Sequence, residues 1–578
     1  MTVSVRVLAV VVVGTFAALC AAEQDSAPRV PLFAPDFEGS TVALVYVDLR
    51  DPAGTELADP ALREALASAF GLRPGSAFSI IAADAGVQAV RRRPGVVSAR
   101  WELYQSSSPG EVVVVLFVVF DPEAEPAPPS GWFITGDASQ FPTLVETDRS
   151  LLRVQLNLRG GLFGDHDAWW GDTDAFVGGS SLYPDPAGHG WISWAEAAVE
   201  AGVHGASQLG TSPVYAFGNL TGIGAGSVGQ DPWRSDSRFE VELEQAYAGL
   251  LAVSSDRRLR FTTSYGRQRW QLNNGFLISR SSGGYNRAEW GASYLSPRSA
   301  FEQTFFAKIR LSDFSVEAFL IDPQENPTSD SGTEYRGVNL QYLNQPAIEV
   351  GAVYYEVPES NSSYTLPDGS RVPREGLRTT NLRLASKQLA GIEGLELEAE
   401  VARQTHQHFD MEADAWYVSL GYQLETLSWQ PVLTYRYAFF EGDDPSTATY
   451  ERFDAPLSGG TDKWVQGKVF RRAIGNSNLQ SHRLRLFLTP TPKVGVTLDY
   501  YRLWADELNN RGGPRPLQEL ADRSYGQELD VTVRWGISKQ LFLLGLIGAA
   551  DPGPAIDLAL EDGARTWTTI QLSLSWRL

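Results

Sequence analysis

Residues 413–504 set the pattern for most of the chain. Trp416, Val418, Leu420, Tyr422 and Leu424 share one parity, with Tyr417, Ser419, Gly421 and Gln423 between them. Leu433, Tyr435, Tyr437 and Phe439 follow, with Thr434 and Arg436 on the opposite face. Leu484, Leu486 and Leu488 then alternate with Arg483, Arg485 and Phe487. A period of two predicts strands with one apolar and one polar face. Residues 151–159 show the same pattern: Leu152, Val154, Leu156 and Leu158 on one side, Arg153, Gln155, Asn157 and Arg159 on the other. Comparable stretches are 238–250, 257–268, 301–310, 334–343, 347–357, 379–386, 394–404, 414–425, 429–440, 480–489, 493–504, 526–537 and 565–577. Further strands are expected within 190–227, 286–296, 314–322 and 540–550.

The connections alternate as well. Leu424 reaches Trp429 by a tight turn, and Leu488 reaches Val494 through Thr-Pro-Thr-Pro-Lys. Between these hairpins lies a long polar loop over 441–478, rich in Gly, Asp and Ser. Tight turns at one end and long loops at the other predict a closed transmembrane barrel with a polar lining. Both chain ends at the tight-turn side require an even strand number, and the pattern gives about 18. No apolar run after the N-terminus approaches the ~20 residues of a spanning helix, so any crossing is by strands.

Residues 41–122 read differently. A strand at 42–48 is followed by Asp59-Pro60, an N-cap with proline in the first turn. Leu62, Leu66 and Phe70 then share one helical face. A second helix is expected over 79–92, then strands over 96–104 and 111–120, the last a nearly continuous apolar run that must be buried or paired. This βααββ order, with Gly-Leu-Arg-Pro-Gly at 71–75 and Pro-Gly-Val-Val at 94–97, resembles a POTRA domain. The resemblance implies a periplasmic module that engages a protein partner through residues 41–122. Residues 123–131, with Pro126, Pro128 and Pro129, read as a stiff linker to a barrel at 132–578.

Composition adds the compartment. Residues 1–22 carry Arg6, an apolar core at 7–19 and Cys-Ala-Ala at 20–22, which read as a secretory signal followed by a flexible lead over 23–40. The one cysteine, Cys20, falls inside that signal, so the mature chain has no thiol for disulfides or catalysis. With 69 acidic and 48 basic residues the net charge is -21, which argues against nucleic acid as the partner. The 16 Trp, 21 Tyr and 27 Phe suit the aromatic girdles of a barrel in contact with outer-membrane lipid.

Four segments carry a family resemblance. They are Leu-Glu-Gln-Ala-Tyr-Ala-Gly-Leu at 243–250, Ser-Tyr-Gly-Arg-Gln at 264–268, Tyr-Arg-Tyr-Ala-Phe-Phe-Glu-Gly-Asp-Asp-Pro at 435–445, and Val-Thr-Leu-Asp-Tyr-Tyr-Arg-Leu-Trp at 496–504. In order and spacing they resemble the alginate-export family of outer-membrane proteins. That resemblance implies an 18-stranded barrel in the outer membrane of a Gram-negative bacterium, passing a polysaccharide or small hydrophilic solutes. A passive porin and a protein-translocation barrel are the alternatives.

Candidate chemistry follows from parity. Arg153, Arg159, Arg383, Arg436, Arg483, Arg485 and Arg534 lie opposite apolar residues. A midplane arginine facing lipid costs about 2–4 kcal/mol, so these point inward. There they either select an anionic sugar chain or pair with Glu240, Glu242, Glu244, Asp499 and Asp530 to brace the wall. His406 and His408 share a face but offer too few ligands for a metal. Asp165, Asp167, Asp172 and Asp174 lack the glycine and glutamate spacing of a calcium loop. No cofactor and no catalytic residue is expected, since no nucleophile elbow, phosphate loop or zinc motif is present.

Overall fold

The computed structural model describes residues 32–577 apart from 33, 38, 107–110, 125–142, 148, 170–189, 233–236, 255–257, 280–290, 296, 326–329, 345–346, 367–368, 425, 456, 460–462, 514–516, 539 and 561–562. The signal segment 1–22 and residues 125–131 of the Pro-rich linker lie outside these residues, as do Asp172 and Asp174.

Near the N-terminus, strand β1 (Thr41–Arg50), helices α1 (Pro60–Phe70) and α2 (Ile80–Arg91), and strands β2 (Val96–Gln105) and β3 (Glu111–Phe120) form a small α+β module. The apolar strand β3 is central in the sheet, parallel to β1 and antiparallel to β2, which gives its Val-rich run a partner on both sides. The helix starts are those the sequence marks. The Asp59 carboxylate accepts from the Leu62 N–H at 2.9 Å, and Gly71 closes α1 in the left-handed region at φ 81°. Gly86 lies so close to Phe70 that a Cβ there would stand 2.2 Å from the Phe70 carbonyl oxygen, so the helices cross at a point only glycine allows. The lead expected to be flexible is anchored in its described part: Leu32 and Ala34 are buried in the module core.

The rest of the described chain closes into one antiparallel barrel. Its strands are β4 (Ser150–His166), β5 (Trp191–Gln208), β6 (Val214–Gly229), β7 (Arg238–Val253), β8 (Leu259–Gln268), β9 (Phe301–Leu311), β10 (Phe314–Asp322), β11 (Glu334–Asn344) and β12 (Ile348–Glu359). They continue as β13 (Leu377–Ser386), β14 (Leu395–His406), β15 (Glu412–Gln423), β16 (Val432–Phe440), β17 (Leu479–Thr491), β18 (Val494–Trp504), β19 (Ser524–Gly536), β20 (Leu541–Pro552) and β21 (Trp567–Arg577). These are 18 strands, and β21 pairs with β4 to close the ring, with Thr568 opposite His166 and Arg577 opposite Asn157. A short strand, Thr143–Glu146, pairs with the start of β4 at this seam.

The expectation over 190–227 resolves into two strands, β5 and β6. Of the expectation over 286–296, residues 286–290 and 296 lie outside the described residues, and the described part, 291–295, forms no strand. Its residues Ala292 and Leu295 pack inward on Ala198 and Ala225 instead of joining the wall.

The two faces of the wall separate as the period of two requires. Leu162, Leu220, Leu250, Leu340, Leu382, Leu433, Leu484 and Leu572 are exposed outward. Trp191 and Trp416 mark the long-loop end of this apolar band, and Tyr422 and Trp429 the short-turn end. Inward positions between them are buried although polar or charged, among them Glu196, Glu200, Arg383, Arg436, Arg483, Asp499 and Glu528.

Candidate functional site: a charged lumen filled by its own chain

The inward residues are buried because the chain fills the barrel. The connection between β8 and β9 turns into the lumen rather than away from it. Asn273 accepts from Asn339 and Gln341 of β11 at 2.9 and 2.7 Å. Asn274 donates to Glu400 of β14 and to the Tyr417 hydroxyl of β15, both at 2.6 Å. Phe276 packs at a tilt against Trp464, 4.8 Å between ring centres, and Trp464 belongs to the connection between β16 and β17. That second connection crosses to the far wall, where Arg472 meets Asp165 of β4 at 2.5 Å and Phe470 packs against Trp169. The polar reading of 441–478 missed Trp464, Val469 and Phe470, all fully buried here. An apolar cluster inside an otherwise polar loop was the available signal.

Three wall carboxylates hold these connections. Glu196 accepts from the consecutive N–H groups of Ser293, Tyr294 and Leu295 at 2.8–3.1 Å. Glu528 accepts from those of Lys468, Val469 and Phe470, the last two at 2.7 and 2.8 Å. Glu244 accepts from Ser299 and Ala300 at 2.9 and 3.2 Å. Successive backbone N–H groups converging on one anion satisfy donors that a buried loop would otherwise leave unpaired.

The arginines expected to face inward do so, with partners the sequence did not suggest. Arg153 pairs at 3.3 Å with Asp84 of helix α2, not with another strand. Arg159 lies 3.6 Å from Glu200. Arg383 bridges Glu349 at 2.5 Å and Glu400 at 3.5 Å. Arg485 grips Asp499 through two bonds of 2.6 Å, a pairing that adjacent-strand reasoning anticipated, and Arg483 lies 3.9 Å from the same carboxylate. Arg534 shares the inward parity of Glu528, Asp530 and Thr532 and is half-buried. Glu240 and Glu242 are exposed at the long-loop end of β7, and Glu242 lies 4.0 Å from Arg298. Glu244 is fully buried where a bulge sets Gln245 opposite Thr221 and Leu243 opposite Gly222, and it binds Arg269 at 3.0 Å.

Arg436 and Arg483 stand directly opposite each other on β16 and β17, and both are almost fully buried. Like charges directly opposite repel. Both donate to one atom, the carbonyl oxygen of Lys463, with Arg483 at 3.2 Å. Arg436 also lies over the Trp464 ring, 4.4 Å from its centre. The inward connection therefore sets a partial negative charge between two guanidinium groups.

The short-turn end is occupied too. The α+β module sits in this mouth: one Asp84 oxygen meets Arg153 and accepts from Trp101 at 2.8 Å, while the other lies 3.7 Å from His204. Burial pushes the Asp84 carboxyl up, but the Arg153 and His204 charges and bonds outweigh it and hold it below the usual carboxylate range. Glu111 binds Lys387 of the β13–β14 turn at 2.6 Å, and Arg73 binds Asp313 of the β9–β10 turn at 3.1 Å.

Comparison with known proteins agrees with this architecture. A family model described as alginate export matches residues 221–559, more than half of the chain, and the chain belongs to that family. It is an outer-membrane β-barrel of that family. Among solved structures it is similar to OccK7 (OpdD) of Pseudomonas aeruginosa, at 13% identity and a TM-score of 0.44, covering 74% of this chain and 98% of that one. It is also similar to OccAB4 of Acinetobacter baumannii, at 12% identity and a TM-score of 0.45 with the same coverage. No curated protein matches.

Proposed function

We propose that this protein is a gated outer-membrane channel for an anionic hydrophilic solute, with an acidic exopolysaccharide chain as the class of cargo that best suits its lumen. The observation that carries this reading is the Arg436–Arg483 pair, opposed across β16 and β17 and sharing one carbonyl oxygen from an inward connection, with Gln466 at 3.4 Å from Arg436 and Asp499 at 3.9 Å from Arg483 as weaker partners. A carboxylate on the cargo offers each guanidinium a stronger, charge-assisted partner than that carbonyl does. Arg485, Arg383, Arg159 and Arg153 extend the basic lining on either side, and Asp499 and Glu244 keep it from binding cargo irreversibly. The same arginines brace the wall in the closed state.

The short-turn end faces the periplasm in this reading, since both chain ends emerge there. Residues 41–122 are then a POTRA-like periplasmic module, preceded by a cleaved signal at 1–22 and joined by the linker at 123–131. It serves as a stopper seated in the mouth, and a periplasmic protein partner would draw it out. A permanently open porin fits less well, because two connections and the module fill the lumen.

Ion selectivity in planar bilayers tests the lining. Arg483→Glu combined with Arg485→Glu should shift selectivity from anions toward cations. Unchanged selectivity would remove these residues from the conducting path.

A further inference from the structure

Between the module and the wall lies a cavity of about 190 Å³ that opens to solvent. Its described lining carries Arg260, Arg269, Lys308, Arg310 and Arg383 against one carboxylate, Glu317. Arg269 and Arg383 are held by Glu200 and Glu244 and by Glu349 and Glu400 respectively. Lys308 pairs with Glu317 at 3.0 Å.

Arg310 is different. It stands directly opposite Arg260 in the β8–β9 ladder, and both face inward. Its Nε donates to the Ser312 carbonyl at 3.1 Å, but its Nη2 is buried with no hydrogen-bond partner. A buried donor left unmade is costly, and a charged one more so. Two arginines side by side add repulsion. The module supplies the opposite side of the cavity through Thr41, Ser76, Phe78 and Ser79, and the Gly71 carbonyl accepts from Arg260 at 3.3 Å.

We propose that this cavity binds a compact anion, a carboxylate- or phosphate-bearing small molecule, on Arg310, and that its occupancy holds the module in the mouth. Because the site is walled by both bodies, an anion there favours the docked arrangement by mass action. The site is built on Arg310, away from the Arg436–Arg483 pair, and shares only the wall-bound Arg383 with the proposed cargo lining, so it stands whether or not the cargo is anionic.

The test uses the full mature chain in detergent, titrated calorimetrically with sodium glucuronate, inorganic phosphate and neutral glucose. Wild type should bind one or both anions and not glucose. Arg310→Gln should weaken that binding about tenfold or more, the loss of one charge-assisted hydrogen bond, and Arg310→Lys should retain most of it. Binding of glucuronate alone identifies a carboxylate site, and binding of both a general anion site. Amide exchange in Ile80–Arg91, the helix carrying Asp84, should slow when the anion is added to wild type and not to Arg310→Gln. Equal affinity of Arg310→Gln and wild type, no anion binding above glucose, or exchange indifferent to the anion would overturn the proposal. If Arg310→Gln loses the heat-modifiable migration of a folded barrel, Lys308→Gln decides. A neighbour's charge lost should weaken anion binding several-fold, and unaltered affinity would count against the site.

Discussion

The wall and its filling are held together by different physics. The wall is a backbone ladder, with consecutive strands paired in register and no edge left open. Its side chains need only alternate. The filling is held by side chains: carboxylates under loop N–H groups, and ion pairs such as Asp84–Arg153 and Glu111–Lys387. The difference teaches where the molecule can move. Opening a strand pair exposes several backbone groups to lipid at once, whereas withdrawing the module breaks a few discrete contacts. On the proposed reading, the wall stays rigid while the filling is the part that moves.

The largest expected effect separates the two directly. Asp84→Ala leaves Arg153 buried without its carboxylate, and breaking a buried pair costs about 3–5 kcal/mol. The loss should fall on module docking, read as faster amide exchange in Ile80–Arg91, while heat-modifiable migration of the barrel stays as in wild type. Acid should mimic this change. Asp84 is held below its ordinary range by Arg153, His204 and Trp101, with Arg91 also near. Its contribution is therefore complete above the unfolded carboxylate value of 3.8 and is lost as pH falls below it. Docking that persists undiminished at pH 2 would show that the ion pairs do not hold the module.

Leu382→Arg should do the reverse. Leu382 is 62% exposed on the outer face of β13, between inward Asn381 and Arg383. An arginine in lipid there costs about 2–4 kcal/mol, read as a lower denaturant midpoint for the barrel in lipid vesicles, with docking unchanged. The smallest effect belongs to Arg403→Ala. Arg403 pairs with Asp414 and Glu412 on the exposed surface, where such pairs contribute about 0–1 kcal/mol. A large loss at this position would mean that surface ion pairs hold the wall.

The same division decides what could be read from the chain. Alternation such as Leu152-Arg153-Val154 fixes which side chain faces lipid, so most strand positions and the inward parity of the arginines were legible, whereas the segment 291–295, which forms no strand, was not. The partners were not. Periodicity says that Arg153 points inward but not that a helix residue, Asp84, lies across from it. Glu196 and Glu528 read as ordinary inward acids, and nothing local to them shows that loops about 60 to 100 residues away along the chain converge on their oxygens. Gln245 shows a further limit, since a one-residue bulge shifts the parity of β7 that the sequence presents as continuous.

The most direct test of a rigid wall around a removable filling is single-channel conductance in planar bilayers. The full mature chain should show a small resting conductance, well below that of an empty 18-stranded barrel. The double variant Asp84→Ala and Lys387→Ala should add long openings of higher conductance. A wild-type chain that conducts at once as a wide, steady pore, indistinguishable from the double variant, would contradict it.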